Sequence, residues 1–141
     1  MNFLSKLSTH GDLGKFILRL GIGIVFIAHG TLKFGMWSME PNEKLSAGMI
    51  SIFKFLSIAE PLGGIALILG FWTGLTALCM SVLLLLIINM KINMMHASFV
   101  GSQGTGWEFD FALFCSTVCI LLSGAGKIAI EERIYSLFPK K

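Results

Sequence analysis

The chain has 141 residues, of which 55% are hydrophobic and 13% charged, with a formal net charge of +3. Mean hydropathy is +0.80, and a soluble domain carries about twice that charged fraction, which argues against a water-soluble protein. The length suits a single domain over 1–141, and the basic residues gather mostly near the two ends, which speaks for membrane orientation rather than nucleic-acid binding. Residues 1–15 are mixed in character and end at Lys15. They lack the basic start, short apolar core and small-residue cleavage site of a signal peptide, so the first apolar run is expected to be a retained span. No lipidation motif is expected, since Asn2 stands where myristoylation needs glycine and no C-terminal cysteine box follows.

A helical crossing needs about 20 mostly apolar residues. Four runs meet this, at about 16–35, 49–71, 73–95 and 107–126. They are continuous rather than alternating, which favours helices over barrel strands. The expected fold is therefore all-α, an integral membrane four-transmembrane-helix bundle. Gly70-Phe71-Trp72-Thr73-Gly74 reads as a tight turn, the stretch from Ser98 to Gly106 as a flexible connection, and the end of the chain as a charged tail.

Ionisable groups sit inside these runs, where each costs roughly 2.5–3.5 kcal/mol on insertion scales. In the first span, with Arg19 as zero, Gly23 falls near about 40°, Gly30 near about 20°, His29 near about 280° and Lys33 near about 320°. One stripe of about 120° thus holds the ionisable groups and two glycines that permit close helix approach. The alternative for Arg19 and Lys33 is that they snorkel to opposite interfaces; His29 is deeper, and snorkelling explains it less well. In the second span Glu60 precedes Pro61, which cannot donate to the Ser57 carbonyl, so the helix is weakened beside a buried acid. Gly63 and Gly64 follow near the same face. Glu60 is expected either to pair with Lys33 or Arg19 or to be protonated, and a structural ion pair fixing helix register is the bland alternative.

In the third span Asn89, Asn93 and His96 share a face, with the asparagines read as interhelical hydrogen-bond partners. Lys91 points away and is taken to snorkel. In the fourth, Glu108 shares a face with Ala112, Cys115 and Cys119 and is the interior candidate, while Asp110 is expected to face water. Four spans put both termini on one side, and the lysine and arginine balance places that side in the cytoplasm. Trp37 and Trp107 then mark the outer interface and Trp72 the inner one. A polar pocket opening outward and built from all four helices is the expected site.

Other signals carry less. Cys115 and Cys119, four apart on a helix, would hold their Cβ atoms about 5–6 Å apart, too far for a disulfide. Pairing of Cys79 with Cys119 cannot be inferred, and buried cysteines are usually inert. His29, His96 and Glu108 have donor types suited to zinc or iron, but no tight spacing supports a metal site and none is expected. Gly101-Ser102-Gln103-Gly104-Thr105-Gly106 lacks the Lys-Ser/Thr of a phosphate loop.

Arg19-Leu20-Gly21, His29-Gly30, Lys33, Glu60, Gly63, Gly64, Gly70, His96 and Glu108 together resemble the DoxX family over about residues 16–126. Gly124-Ala125-Gly126-Lys127 matches only part of the Gly-Pro-Gly-like turn that closes the fourth span in that family. The resemblance implies a multi-pass protein of the bacterial inner membrane, similar to a subunit of a thiosulfate:quinone oxidoreductase or to proteins of membrane redox complexes and oxidative-stress defence. Under that reading His29, Glu60, His96 and Glu108 form a proton relay, Arg19 or Lys33 holds quinone oxygens or an oxyanion, and Gly23, Gly30, Gly63 and Gly64 pack helices. A quinone is the one cofactor suggested. The expected partners are the lipid bilayer, a redox partner protein or a second copy, and not nucleic acid. The alternatives are a non-catalytic assembly or stress-response protein, and a small anion or proton carrier.

Overall fold

The computed structural model describes residues 10–43, 45–101 and 106–137. Lys6, Lys44, Lys140, Lys141 and part of the glycine-rich connection (102–105) lie outside them. Among the described residues the chain is all-helical. α1 spans Gly11–Leu32 and runs into a 3-10 turn, Lys33–Ser38. α2 spans Ala47–Leu69, α3 Thr73–Asn93, α4 Glu108–Ser123 and α5 Ile130–Leu137. Three segments are long and apolar enough to cross a membrane: Gly11–Ser38, Ala47–Leu69 and Thr73–Asn93. Such helices must contact lipid. α4 has 16 residues, about 24 Å at 1.5 Å per residue, short of a hydrocarbon core of about 30 Å.

Local chemistry sets the helix ends. Ser46 Oγ accepts from Met49 N at 3.3 Å, satisfying a free donor at the start of α2. α2 stops at Gly70, whose φ of 68° suits glycine, and Phe71 N then donates to Ala66 O at 3.0 Å. α3 begins two residues later, so α2 and α3 are tightly linked antiparallel neighbours. α4 ends at Ser123, and Gly124 (φ 76°) and Gly126 (φ 75°) both take positive φ values that suit glycine.

Those two glycines redirect the charged tail, which returns to the bundle. Arg19 Nη2 donates to Ile128 O at 2.6 Å. Glu131 N donates to Gly70 O at 3.1 Å, and Glu131 Oε2 accepts from Thr73 N at 3.0 Å, capping the start of α3. Lys127 N donates to Asp12 Oδ1 at 3.2 Å, so the beginning of α1 and the segment before α5 share one end of the bundle.

α1 packs most extensively on α2, and α3 on α4. The α1–α2 contact is glycine-lined. A Cβ on Gly23 would lie 2.6 Å from Gly64 O, and one on Gly64 2.5 Å from Gly23 O. Gly30 makes room for the Pro61 ring, while Gly63 faces Met80 of α3. The core joins Ile22 and Phe26 of α1, Leu67 of α2, Ala77, Met80 and Leu84 of α3 and Ile120 of α4. Within it the Ser81 and Thr117 hydroxyls meet at 2.9 Å, tying α3 to α4.

Candidate functional site

At the end of the bundle opposite Arg19, all four long helices line one cavity of about 380 Å³. α1 and its 3-10 extension bring His29 and Lys33, α2 brings Glu60, α3 brings Lys91, and α4 brings Glu108, Phe109 and Asp110. The remaining walls are apolar, with Phe26, Leu56 and Leu84 among them.

Glu60 is 2% exposed and ion-pairs with Lys33. Lys33 Nζ also donates to His29 O at 3.2 Å, so one ammonium joins the α1 terminus to the α2 carboxylate. His29 and Asp110 line the same cavity as Glu60. A second pair closes the opposite wall, where Lys91 Nζ donates to Asp110 Oδ2 at 2.6 Å and to Gly106 O at 3.1 Å. His29 stacks on Phe109 with ring centroids 5.5 Å apart, which orients the imidazole against α4.

Glu108 is different. Its Oε2 is buried and has no hydrogen-bond partner among the described residues. It opens α4, where the helix N-terminus favours a carboxylate. Phe99, Trp107 and Phe111 pack edge to face near that end, with the Phe99 and Trp107 centroids 4.5 Å apart.

Two residues expected beside these lie elsewhere. His96 follows α3 with φ 49°, is exposed, and does not line the cavity, so the relay proposed for it has no geometric support. Arg19 is fully buried at the far end, where its Nε and Nη1 have no partner among the described residues. It braces the Gly70 turn and the 124–129 segment and does not reach the cavity. Conversely, Lys91 and Asp110, read as snorkelling and water-facing, form an ion pair on the cavity wall. Their signal was opposite charge at matched depth on two antiparallel helices. Asn93 Nδ2 donates to Asn89 Oδ1 at 2.6 Å within α3, and the pair bridges no helices. Trp37 Nε1 donates to Ser57 Oγ at 3.0 Å. Cys79, Cys115 and Cys119 are free thiols on the outer surface rather than in the core. No three His, Cys, Asp or Glu side chains gather as a metal set among the described residues.

Apolar helices of spanning length around a cavity lined by charged side chains define a multi-pass helical membrane protein. The DoxX family matches residues 14–97, more than half of the chain, and the chain belongs to that family. The matched region ends before α4, so Glu108 and Asp110 lie beyond it. The chain is also 27% identical over 128 residues to the protein named "Putative oxidoreductase CatD" from Bacillus subtilis (strain 168), covering 88% of this chain and 89% of that one. No solved structure matches.

Proposed function

We propose that the chain is a subunit or accessory of a quinone-linked redox system in the bacterial inner membrane, with the cavity as its proton-handling site. The observation that carries this reading is the buried Glu108 Oε2, without a hydrogen-bond partner among the described residues, in a cavity that also holds two completed ion pairs. Glu60 and Asp110 are each held by a lysine, so exchanging their protons would break a pair. Glu108 belongs to neither ion pair among the described residues, and the proton-transfer role is assigned to it on that ground. His29 stands across from it, oriented by Phe109. The ammonium groups of Lys33 and Lys91 are the donors suited to ligand oxygens, and apolar side chains such as Phe26, Leu56 and Leu84 line the space around them. A bound quinone supplies the two-electron, two-proton couple, and electrons come from a partner protein. The oxidoreductase name carried by the Bacillus relative supports the class.

For orientation, both ends of the described chain are assigned to the cytoplasm. Lys15, Arg19, Lys127 and Arg133 cluster at that end, whereas Lys33 and Lys91 at the other end are paired with carboxylates.

The test is purification in mild detergent with native lipid, followed by solvent extraction and mass spectrometry. Wild type is expected to retain a quinone that a Glu108→Ala/His29→Ala variant of unchanged thermal stability loses. A chain that carries no quinone and instead retains a stoichiometric protein partner in both forms would make it an assembly factor.

A further inference from the structure

The polar cavity has an apolar neighbour. α2 and α3 are joined by the shortest of the connections, yet they pack more loosely than α1 on α2 or α3 on α4. Along this seam run two grooves of about 710 and 520 Å³. They share Phe55, Leu83 and Leu86 and so form one furrow. It extends along α3 from Leu75 to Met94, a length of about 28 Å at helical rise. Its Met94 half also shares Leu56, Ile87 and Met90 with the polar cavity. The two spaces are therefore separated by a wall one side chain thick. Met90, unbranched and pliable, is the part of that wall best able to yield.

Resting on the quinone reading above, we propose that the α2–α3 furrow is a lateral portal from the bilayer and that it seats the isoprenoid tail of the quinone whose ring occupies the cavity. Two features select this occupant. Adjacency across a wall one side chain thick asks for an amphiphile with a compact polar head and a long apolar tail. Charge selects the head. Both ammonium groups of the cavity, Lys33 and Lys91, are already engaged by the carboxylates of Glu60 and Asp110, and the one further acidic side chain there is Glu108. An anionic phospholipid or fatty-acid head finds both ammonium groups already engaged there, whereas an uncharged ring with hydrogen-bonding oxygens needs no free cation. The furrow lining is almost wholly apolar, and a tail seated there exchanges lipid contacts for packing against the helices while tethered to the ring.

The experiment uses the full chain in nanodiscs and two quinone probes with the same ring, one with a long isoprenoid tail and one without. A third probe carries a diazirine midway along the tail. Wild type is expected to bind the tailed quinone at least tenfold more tightly than the tail-less one. Photolabelling should fall on residues 55–56 and 83–90 and be displaced by excess unlabelled tailed quinone. Leu83→Trp, which fills the furrow, should abolish the tail's advantage and leave tail-less binding unchanged. Leu86→Trp at the exposed rim serves the same purpose if the first variant does not fold. Equal binding of tailed and tail-less rings by wild type, or an undiminished tail advantage in both folded variants, overturns the portal while leaving the quinone reading intact. Binding of neither ring overturns that reading itself. Labelling of the furrow displaced by phospholipid, or cross-links to a second copy of the chain, assigns the furrow to a different occupant.

Discussion

The Lys33–Glu60 pair ties the end of α1 to the middle of α2 at a depth where a lone carboxylate would be costly. Buried pairs of this kind often add little net stability relative to an apolar replacement, but removing one partner leaves a charge with no compensation. The prediction is therefore asymmetric. Lys33→Met should destabilise the bundle by about 3–5 kcal/mol, read as a loss of thermal stability in detergent. Lys33→Met/Glu60→Met should recover most of that loss. A double variant no more stable than the single one would show that the pair's contribution is not electrostatic. The sequence made Glu60 and Lys33 visible because each interrupts an apolar run, and their pairing was one of two expected partnerships. It misjudged Lys91 and Asp110 for a physical reason. Helical angles track Cβ directions, whereas a lysine carries its charge at the end of a four-carbon stem. Lys91 thereby reaches both Asp110 and Gly106 O. Arg19 failed in the opposite sense. It lies on the same stripe as His29 and Lys33, but the angle around a helix says nothing about distance along it, and the partner it meets is supplied by a tail whose folding no periodicity announced.

At the scale of elements, the α1–α2 contact is set by backbone approach rather than side-chain volume. Gly64→Ala would place a methyl against Gly23 O, and neither backbone can retreat without separating the helices. The expected cost is about 1–3 kcal/mol. Gly21→Ala lies on α1, the helix of Gly23, with nothing within 4 Å of its added carbon. It should be neutral or stabilising by up to about 1 kcal/mol through helix propensity. Denaturant titrations of both variants in one detergent check this, and similar losses from the two would remove the seam from the account. The three long helices were legible from apolar length alone. Their ends were less so. α1 starts at Gly11, before the apolar run begins, because a helix continues through polar residues that leave the membrane. α4 ends at Ser123 although the sequence stays apolar beyond it, because Gly124 and Gly126 take positive φ values. Hydropathy reports solvent preference, and helix termination is a matter of dihedral angles.

For the whole molecule, unequal helix lengths pose a problem that the membrane must share. α2 has 23 residues and α3 has 21, lengths of about 34 and 32 Å. α4 is about 24 Å long, and its first turn carries Glu108 and Asp110. If the long helices fill a core of about 30 Å, the start of α4 lies below the surrounding interface. The cavity then opens at a recess instead of a flat surface. Thinning the bilayer around α4 relieves the mismatch at a cost of fractions of a kcal/mol per Å. The protein should therefore be most stable in nanodiscs of shorter phosphatidylcholines and lose thermal stability steadily as the acyl chains lengthen. The loss should be steeper in Trp107→Ala, which weakens the aromatic cluster of Phe99, Trp107 and Phe111 at that recess. A stability maximum at the thickness matching α2 and α3, unchanged in Trp107→Ala, would show that the connection before α4 already completes the crossing. The recess interpretation would then fall. The ion pairs on the cavity wall would remain, but water would have to reach Glu108 through the bundle itself.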